Sequence, residues 1–522
     1  MKIIPKPLDS ASTPGKSFVL PQQISVSCAF DDVCLKAFLE RTGLVLGSSA
    51  DNHIVVGKQP GYGNEEYSLE VSDSGITILA SGEKGAINAF ASLYQIISEN
   101  GSIPQCKIHD CPRYQHRGLN LDCARHFFSA DEVKRVIEQM SLVKMNVLHW
   151  HLADDQGWRI ESKRYPKLHE QNEYYSQKEI ADIVSFAADR GVEIVPEIDL
   201  PGHVTALLAA YPEYSCSSKT VKRAEYGGIY SVVLCPGSEK TYAFVEELLD
   251  EICPLFPSAR FHLGGDEVPK KEWKKCECCQ AKIAEEKLED ETQLQGYFSN
   301  RLMNMIDKHG KKAILWNDSL EASNLNKDML IEYWSVQYAD EMRTYADNGG
   351  KFIYADMFRF YFDYPHSFVP LKHVYGGPMA VLDTDYAESN AVVGVECCLW
   401  TERVETPEKL EEMLFPRIYA VAEVGWSREC KDYEDFKARL TEFIKNHHSL
   451  NVKPADMWDP EGESRKQELI AYMSGASKAV PPEIREETMS NYTPNKYFRD
   501  AMSSWYTPED MALMEQLRST AE

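Results

Sequence analysis

From Arg117 onwards short apolar runs recur along the chain. Each is followed by a polar loop and usually by a stretch with helical spacing. The runs occupy 118–121, 147–152, 193–198, 260–263, 313–315, 330–333, 352–354 and 392–395. Helical periodicity falls at 131–144, 178–190, 242–252, 294–309 and 407–421. Near-continuous apolar strands alternating with helices predict a parallel sheet covered on its faces. Eight such units over about 310 residues fit a (β/α)8 TIM-type barrel with insertions.

Ahead of the barrel, residues 17–110 read as a small α/β unit. Strands are predicted at 24–28, 54–57, 67–71 and 76–80, and helices at 31–41 and 84–98. Cys111-Pro112 breaks this pattern. From about Glu429 the sequence turns helical and acidic, with no recognisable chemistry. The expected domains are therefore a small α/β domain at 1–112, a catalytic barrel at 113–428 and a helical C-terminal region at 429–522.

Composition narrows the partners. The 522 residues are 43% hydrophobic and 26% charged, with a formal net charge of −25. That balance disfavours a nucleic-acid backbone or an anionic membrane as partner and is compatible with a neutral substrate. Aromatic residues reach 11%, a somewhat generous share; most of these rings are expected in the core, and aromatic faces also suit sugar rings. No stretch approaches the ~20 apolar residues of a membrane span. The opening residues lack the apolar run of a secretory signal, so a cytoplasmic location is expected, although a trimmed secreted chain would read the same. Fourteen cysteines without a small-scaffold spacing are expected to be free thiols. Cys276, Cys278 and Cys279 sit together, with Cys253 upstream, but no second close pair completes a zinc motif. No metal and no cofactor are expected.

Barrels of this type carry their chemistry where strands end. Here the eight predicted strand ends bear, in order, Asp122 with Arg125, Asp154 with Asp155, Asp199 with His203, Asp266-Glu267, Trp316, Trp334, Tyr361 with Asp363, and Trp400 with Glu402. An isolated strand-end carboxylate more often caps a helix. Carboxylates, arginine, histidine and tryptophans converging on one rim point instead to a sugar-cleaving site. His149 and His151 share a strand face; buried hydrogen bonding is the expectation for them, with a metal as the lesser alternative. Glu396, within an apolar strand, reads as a structural ion-pair partner.

Four segments in order, together spanning about residues 113–427, resemble glycoside hydrolase family 20. They are Arg117-Gly-Leu-Asn-Leu-Asp-Cys-Ala-Arg-His-Phe-Phe128, Asn146-Val-Leu-His-Trp-His-Leu-Ala-Asp-Asp-Gln-Gly-Trp-Arg159, His262-Leu-Gly-Gly-Asp-Glu267 and Gly394-Val-Glu-Cys-Cys-Leu-Trp-Thr-Glu402. The preceding α/β unit resembles the small domain that commonly precedes this barrel.

The resemblance implies an exo-acting, retaining β-N-acetylhexosaminidase, acting on N-acetylhexosamine-terminated glycans through an oxazolinium intermediate. It implies Glu267 as general acid/base, Asp266 as the partner of the substrate acetamide and Tyr361 as a donor to the acetamide oxygen. Trp316, Trp334 and Trp400 would box the N-acetyl group and sugar face. Arg125 and Glu402 would grip O3 and O4, and Asp363 would contact O6. Asp154 and His203 would form a relay behind Glu267. The residues agree with this chemistry. Two carboxylates adjacent in sequence do not easily flank a sugar at the ~5–5.5 Å spacing of an ordinary retaining pair. Glu267 is expected to be buried against tryptophan. The loops 211–228 and 273–291 are expected to form the outer wall. Three alternatives stay open: a disaccharide-releasing relative, an inactive sugar-binding protein, and a zinc-dependent hydrolase using His149, His151 and the cysteine cluster. Oligomeric state is not legible.

Overall fold

The computed structural model describes residues 1–48, 52–170, 173–217, 220–377, 389–428, 430, 432–446, 450–491, 495–505 and 508–512. Among them, eight parallel strands close into a barrel. They are His116–Asp122, Val147–His151, Glu193–Glu197, Arg260–His262, Lys312–Trp316, Leu330–Tyr333, Lys351–Tyr354 and Val392–Leu399. The last strand pairs with the first, through Gly394↔His116 to Leu399↔Leu121, so no edge remains. All eight coincide with the apolar runs of the sequence.

The helices between them begin where side chains satisfy the first free amides. Ser129 and Glu132 form a reciprocal capping box at Ala130–Leu142, and Ser176 and Glu179 another at Gln177–Ala188. Each such cap is worth about 1 kcal/mol. The helix predicted at 407–421 is two helices, Pro407–Leu414 and Arg417–Trp426. Pro416 cannot donate its missing amide and ends the first.

Inward-facing residues stack in layers two positions apart along each strand. The bottom layer is apolar: Val147, Val195, Ile314, Leu330 and Ile353. Two residues further on, the lumen turns polar, with His149, Glu197, Trp316 and Glu332. His149 Nδ1 lies 2.8 Å from Glu396 Oε1, and His116 Nε2 lies 2.6 Å from Glu396 Oε2. Glu197 meets His151, approaches His262 Nδ1 at 3.0 Å and accepts Trp316 Nε1–H at 2.9 Å. Burial disfavours the Glu197 carboxylate, but His151, His262 and His149 together hold it well below its ordinary range. His149, His151 and Glu396 thus take part in one buried network beneath the site.

The N-terminal domain is a six-stranded sheet in the order Asp9–Val19, Ser102–Asp110, Tyr67–Ser72, Gly75–Ala80, Ile54–Lys58, Val26–Cys28. Helices Val33–Thr42 and Glu83–Ile96 pack on it, with Phe38 and Phe90 rings 4.9 Å apart. The first two strands of that order escape the sequence pattern. Asp9–Val19 is an almost wholly exposed edge without alternation, and Ser102–Asp110 carries Pro104. The domain meets the barrel where the first strands begin. There buried Asp110 receives Lys144 Nζ at 3.0 Å and Trp426 Nε1–H at 2.8 Å. This contact leaves the opposite rim free.

The C-terminal region is helical, as expected, with Gly462–Ala479, Pro482–Asn491 and Lys496–Trp505. It returns to the catalytic rim: Thr488 Oγ1 accepts Ile229 N–H at 3.0 Å, and Glu487 Oε1 accepts Ser231 N–H at 2.9 Å. Among the described residues no helix is long and apolar enough to cross a membrane.

Candidate active site

A cavity of about 1020 Å³ opens at the C-terminal ends of the barrel strands. All the sequence-predicted site residues line it: Asp266, Glu267, Tyr361, Arg125, Asp154, His203, Trp316, Trp334, Asp363, Trp400 and Glu402.

The fourth strand delivers the carboxylate pair through a backbone that only glycine tolerates. Gly264 and Gly265 have φ of +68° and +95°, and a Cβ on Gly264 would lie 1.8 Å from Asp199 Oδ1. The glycine amide makes use of that closeness, since Gly265 N–H donates to Asp199 Oδ1 at 2.9 Å. Glu267 and His203 themselves have φ of 47° and 51°. For residues with a Cβ that conformation costs on the order of 1 kcal/mol and clusters at functional sites.

Around the pair the charges are sorted. His203 Nε2 stands 3.7 Å from Asp266 Oδ2 and 3.6 Å from Glu267 Oε2. Its Nδ1 faces Asp154 Oδ1 at 3.4 Å and Asp155 Oδ2 at 3.2 Å. Burial opposes the imidazolium, but Asp154, Asp155 and Glu267 raise its pKa well above the ordinary value. Burial also opposes the Asp154 carboxylate; Arg125 and His203 overcome this and hold it far below the usual range. Burial pushes Asp266 up to about 6, against the pull of His203 and of a hydrogen bond with Asp199. Asp199 is raised well above its usual value by burial and by Asp266, and so can remain a neutral acid that donates to Asp266. Asp318 is raised to about 8 by burial and Asp266, while its Oδ1 accepts Glu267 N–H at 3.1 Å. The burial expected at Glu267 thus falls on its neighbours; the Glu267 side chain itself is 21% exposed.

The aromatic walls are close. Trp316 and Trp400 have centroids 5.9 Å apart, and Trp334 stacks on Tyr361 at 6.1 Å. Arg125 lies over Trp400 at 5.1 Å, bonds Asp154 Oδ2 at 2.8 Å and reaches Glu402 Oε1 at 3.8 Å. Asp363 sits on a loop held by buried Arg417, which donates to the carbonyls of Phe362 and Tyr364 at 2.8 Å each. Burial and Glu402 raise Asp363 to about 7. Asp266 Oδ1 and Asp363 Oδ1 are buried and accept no hydrogen bond from the described residues.

Alignment with known proteins agrees with this architecture. The profile described as "Glycosyl hydrolase family 20, catalytic domain" matches residues 114–429, and "Glycosyl hydrolase family 20, domain 2" matches 1–111. The chain belongs to glycosyl hydrolase family 20.

A beta-hexosaminidase of Porphyromonas gingivalis is 32% identical over 425 residues, covering 72% of this chain; the chain spans about half (52%) of that relative's length. A solved β-N-acetylhexosaminidase from Bacteroides fragilis superposes with a TM-score of 0.81 at 30% identity, covering 88% of this chain and 99% of its own. An exo β-N-acetylglucosaminidase of Vibrio harveyi in complex with N-acetylglucosamine gives a TM-score of 0.78 at 28% identity, covering 87% and 78% respectively.

Within this family 20 site, the sequence places Asp199 at a strand end without assigning it a role, and it does not single out Asp318. Asp199 and Asp318 each lie two residues past an inward-facing strand-end residue, Glu197 and Trp316, and that spacing was the available signal. Tyr472, Val480 and Phe498 of the C-terminal region also line the cavity, and no local pattern marks them. Of the two loops expected as outer wall, 223–228 lines the cavity. The segment 273–291 does not; its Trp273 is buried in a satellite core with Val233 and Leu294.

Proposed function

We propose that this chain is an exo-acting, retaining β-N-acetylhexosaminidase that removes terminal β-linked N-acetylglucosamine or N-acetylgalactosamine. The observation that carries this reading is the unpaired Asp266 Oδ1, buried beside Glu267 at the floor of a box of Trp316, Trp334, Trp400 and Tyr361. An acceptor aimed into an aromatic box suits the N–H of a 2-acetamido group.

In the proposed reaction the acetamide oxygen of the substrate attacks the anomeric carbon. Glu267 gives its proton to the departing glycosidic oxygen. Asp266 accepts the acetamide N–H and offsets positive charge on the oxazolinium, and Tyr361 donates to the acetamide oxygen. Glu267 then takes a proton from water as the water opens the ring, and the anomeric configuration is retained. Arg125 and Glu402 grip O3 and O4, and Asp363, with its unpaired oxygen, receives O6–H. The N-acetylglucosamine bound to the V. harveyi relative supports this choice of sugar.

The test is a product time course on chito-oligosaccharides of defined length. Release of one monosaccharide at a time is expected, because grips at O3 and O4 leave no room for a preceding sugar. From a pentasaccharide or longer, disaccharide or mid-length products appearing before the chain shortened by one sugar would refute the exo pocket.

A further inference from the structure

Four thiols from two separate stretches of chain converge beside the catalytic rim. Cys216 and Cys235 bracket the loop whose residues 223–228 line the cavity. Cys276 caps helix Glu277–Glu286, and Cys279 lies in its first turn, shortly after the Asp266-Glu267 loop. One Sγ from each of the four lies within 4.8 Å of all the others. The closest approaches are 3.5 Å for Cys216–Cys279, 3.7 Å for Cys235–Cys276 and 3.8 Å for Cys235–Cys279.

These distances choose among explanations. A disulfide brings two sulfurs to about 2.05 Å, and all four cysteines are free. Simple packing of buried thiols does not require four sulfurs to surround one point. A zinc ion with four thiolates at about 2.3 Å holds its sulfurs at tetrahedral corners roughly 3.8 Å apart. The three closest approaches match that edge.

The surrounding chain is built to hold this geometry. Ser215 pairs with Leu234 in an antiparallel bridge, so the two ends of the loop already lie side by side. Trp273 Nε1–H donates to Leu234 O at 2.9 Å, tying those ends to the segment that carries Cys276. A Cβ on Gly237 would sit 2.3 Å from the Cys278 carbonyl carbon, so glycine permits the two backbones to touch beside the sulfurs. Cys276 and Cys279 occupy a helix N-terminus, which favours the thiolate form. Cys278 is exposed and outside the group.

We propose that Cys216, Cys235, Cys276 and Cys279 bind one structural zinc ion, which clasps the base of the 216–235 loop to the segment following Asp266-Glu267. Binding replaces four S–H protons by one Zn²⁺ without any change of oxidation state. With four protein sulfurs the coordination is closed, so the ion takes no part in bond cleavage. Its role is to fix a wall of the cavity, and it stands independently of which glycan is cleaved. Sequence spacing concealed it: eighteen residues separate Cys216 from Cys235, and an isolated antiparallel bridge rather than a short turn brings them together.

The test uses the intact chain, expressed with zinc available and then gel-filtered. Elemental analysis should find one zinc per chain, and zinc-edge X-ray absorption should show sulfur alone at about 2.3 Å. Cys279→Ser and Cys216→Ser should lose the metal, whereas Cys278→Ser should keep it. If the first two fail to fold, the wild-type stoichiometry and scattering decide alone. Displacing the zinc with an organomercurial should speed proteolytic cleavage within 216–235 severalfold. Zinc well below one per chain, nitrogen or oxygen in the coordination shell, or a disulfide among the four thiols would overturn the proposal. Unchanged proteolysis after displacement would overturn the clasp.

Discussion

Asp266 and Glu267 are neighbours in the chain, yet their surroundings suit them to different work. Asp266 lies among Asp199, His203 and Asp318, whereas Glu267 is the somewhat more exposed of the two, at 21% against 15%. For the acid, Glu267→Gln should lower turnover of unactivated oligosaccharides by roughly 10²–10⁴, with a smaller loss on aryl glycosides that need little protonation. Equal losses on both substrates would remove Glu267 from that role. For Asp266 the sign of the pH effect follows from its raised value. The anion is the form that accepts the acetamide N–H, so kcat/KM should fall as pH drops through about 6. Asp199 stabilises that anion by a hydrogen bond, so Asp199→Ala should move the acid limb to higher pH, and Asp199→Asn, which keeps a donor, should move it less. A pH profile unmoved in Asp199→Ala would show that Asp199 only fills space. At this scale the motif residues were legible because each stands at a strand end. Asp199 and Asp318 acquire their roles from what faces them across the barrel, and a linear sequence does not display that.

At the scale of elements, the eight barrel strands were legible because a strand covered on both faces must be apolar nearly throughout. Strands that escape this constraint, such as Asp9–Val19 with its exposed edge, leave no pattern. The catalytic loop depends on the same kind of constraint, carried by glycine. A Cβ at Gly264 would collide with Asp199 while φ is +68°, so Gly264→Ala must move either the loop or the Asp199 carboxyl. The expected cost is about 2 kcal/mol or more of stability, combining left-handed strain with the clash. Because that movement displaces Asp266 and Glu267, activity should fall at least tenfold even where the protein stays folded. Urea unfolding paired with kcat measurement checks both. Full activity with unchanged stability would mean that the loop is softer than its geometry indicates.

Over the whole molecule, the chain's last helices matter more than their composition suggests. Their sequence carries no motif, but folding brings Tyr472 against Phe368 and Tyr364, at 5.3 and 6.2 Å, and Arg403 over its ring at 4.6 Å. Tyr364 adjoins Asp363 and Arg403 adjoins Glu402, so one tyrosine from the C-terminal region buttresses two of the proposed sugar grips. Truncation to Ala at that position removes an aromatic contact worth about 1 kcal/mol or more and loosens both grips together. Tyr472→Ala is therefore expected to raise KM on chitobiose roughly tenfold, about 1.4 kcal/mol of binding, with a smaller change in kcat because the Asp266-Glu267 floor is untouched. The melting temperature should move little, since Tyr472 lies at the rim and not in the main core. A matched loss of kcat with unchanged KM would instead place the C-terminal helices in the chemical step. An unchanged KM would make them a cover with no hold on the sugar.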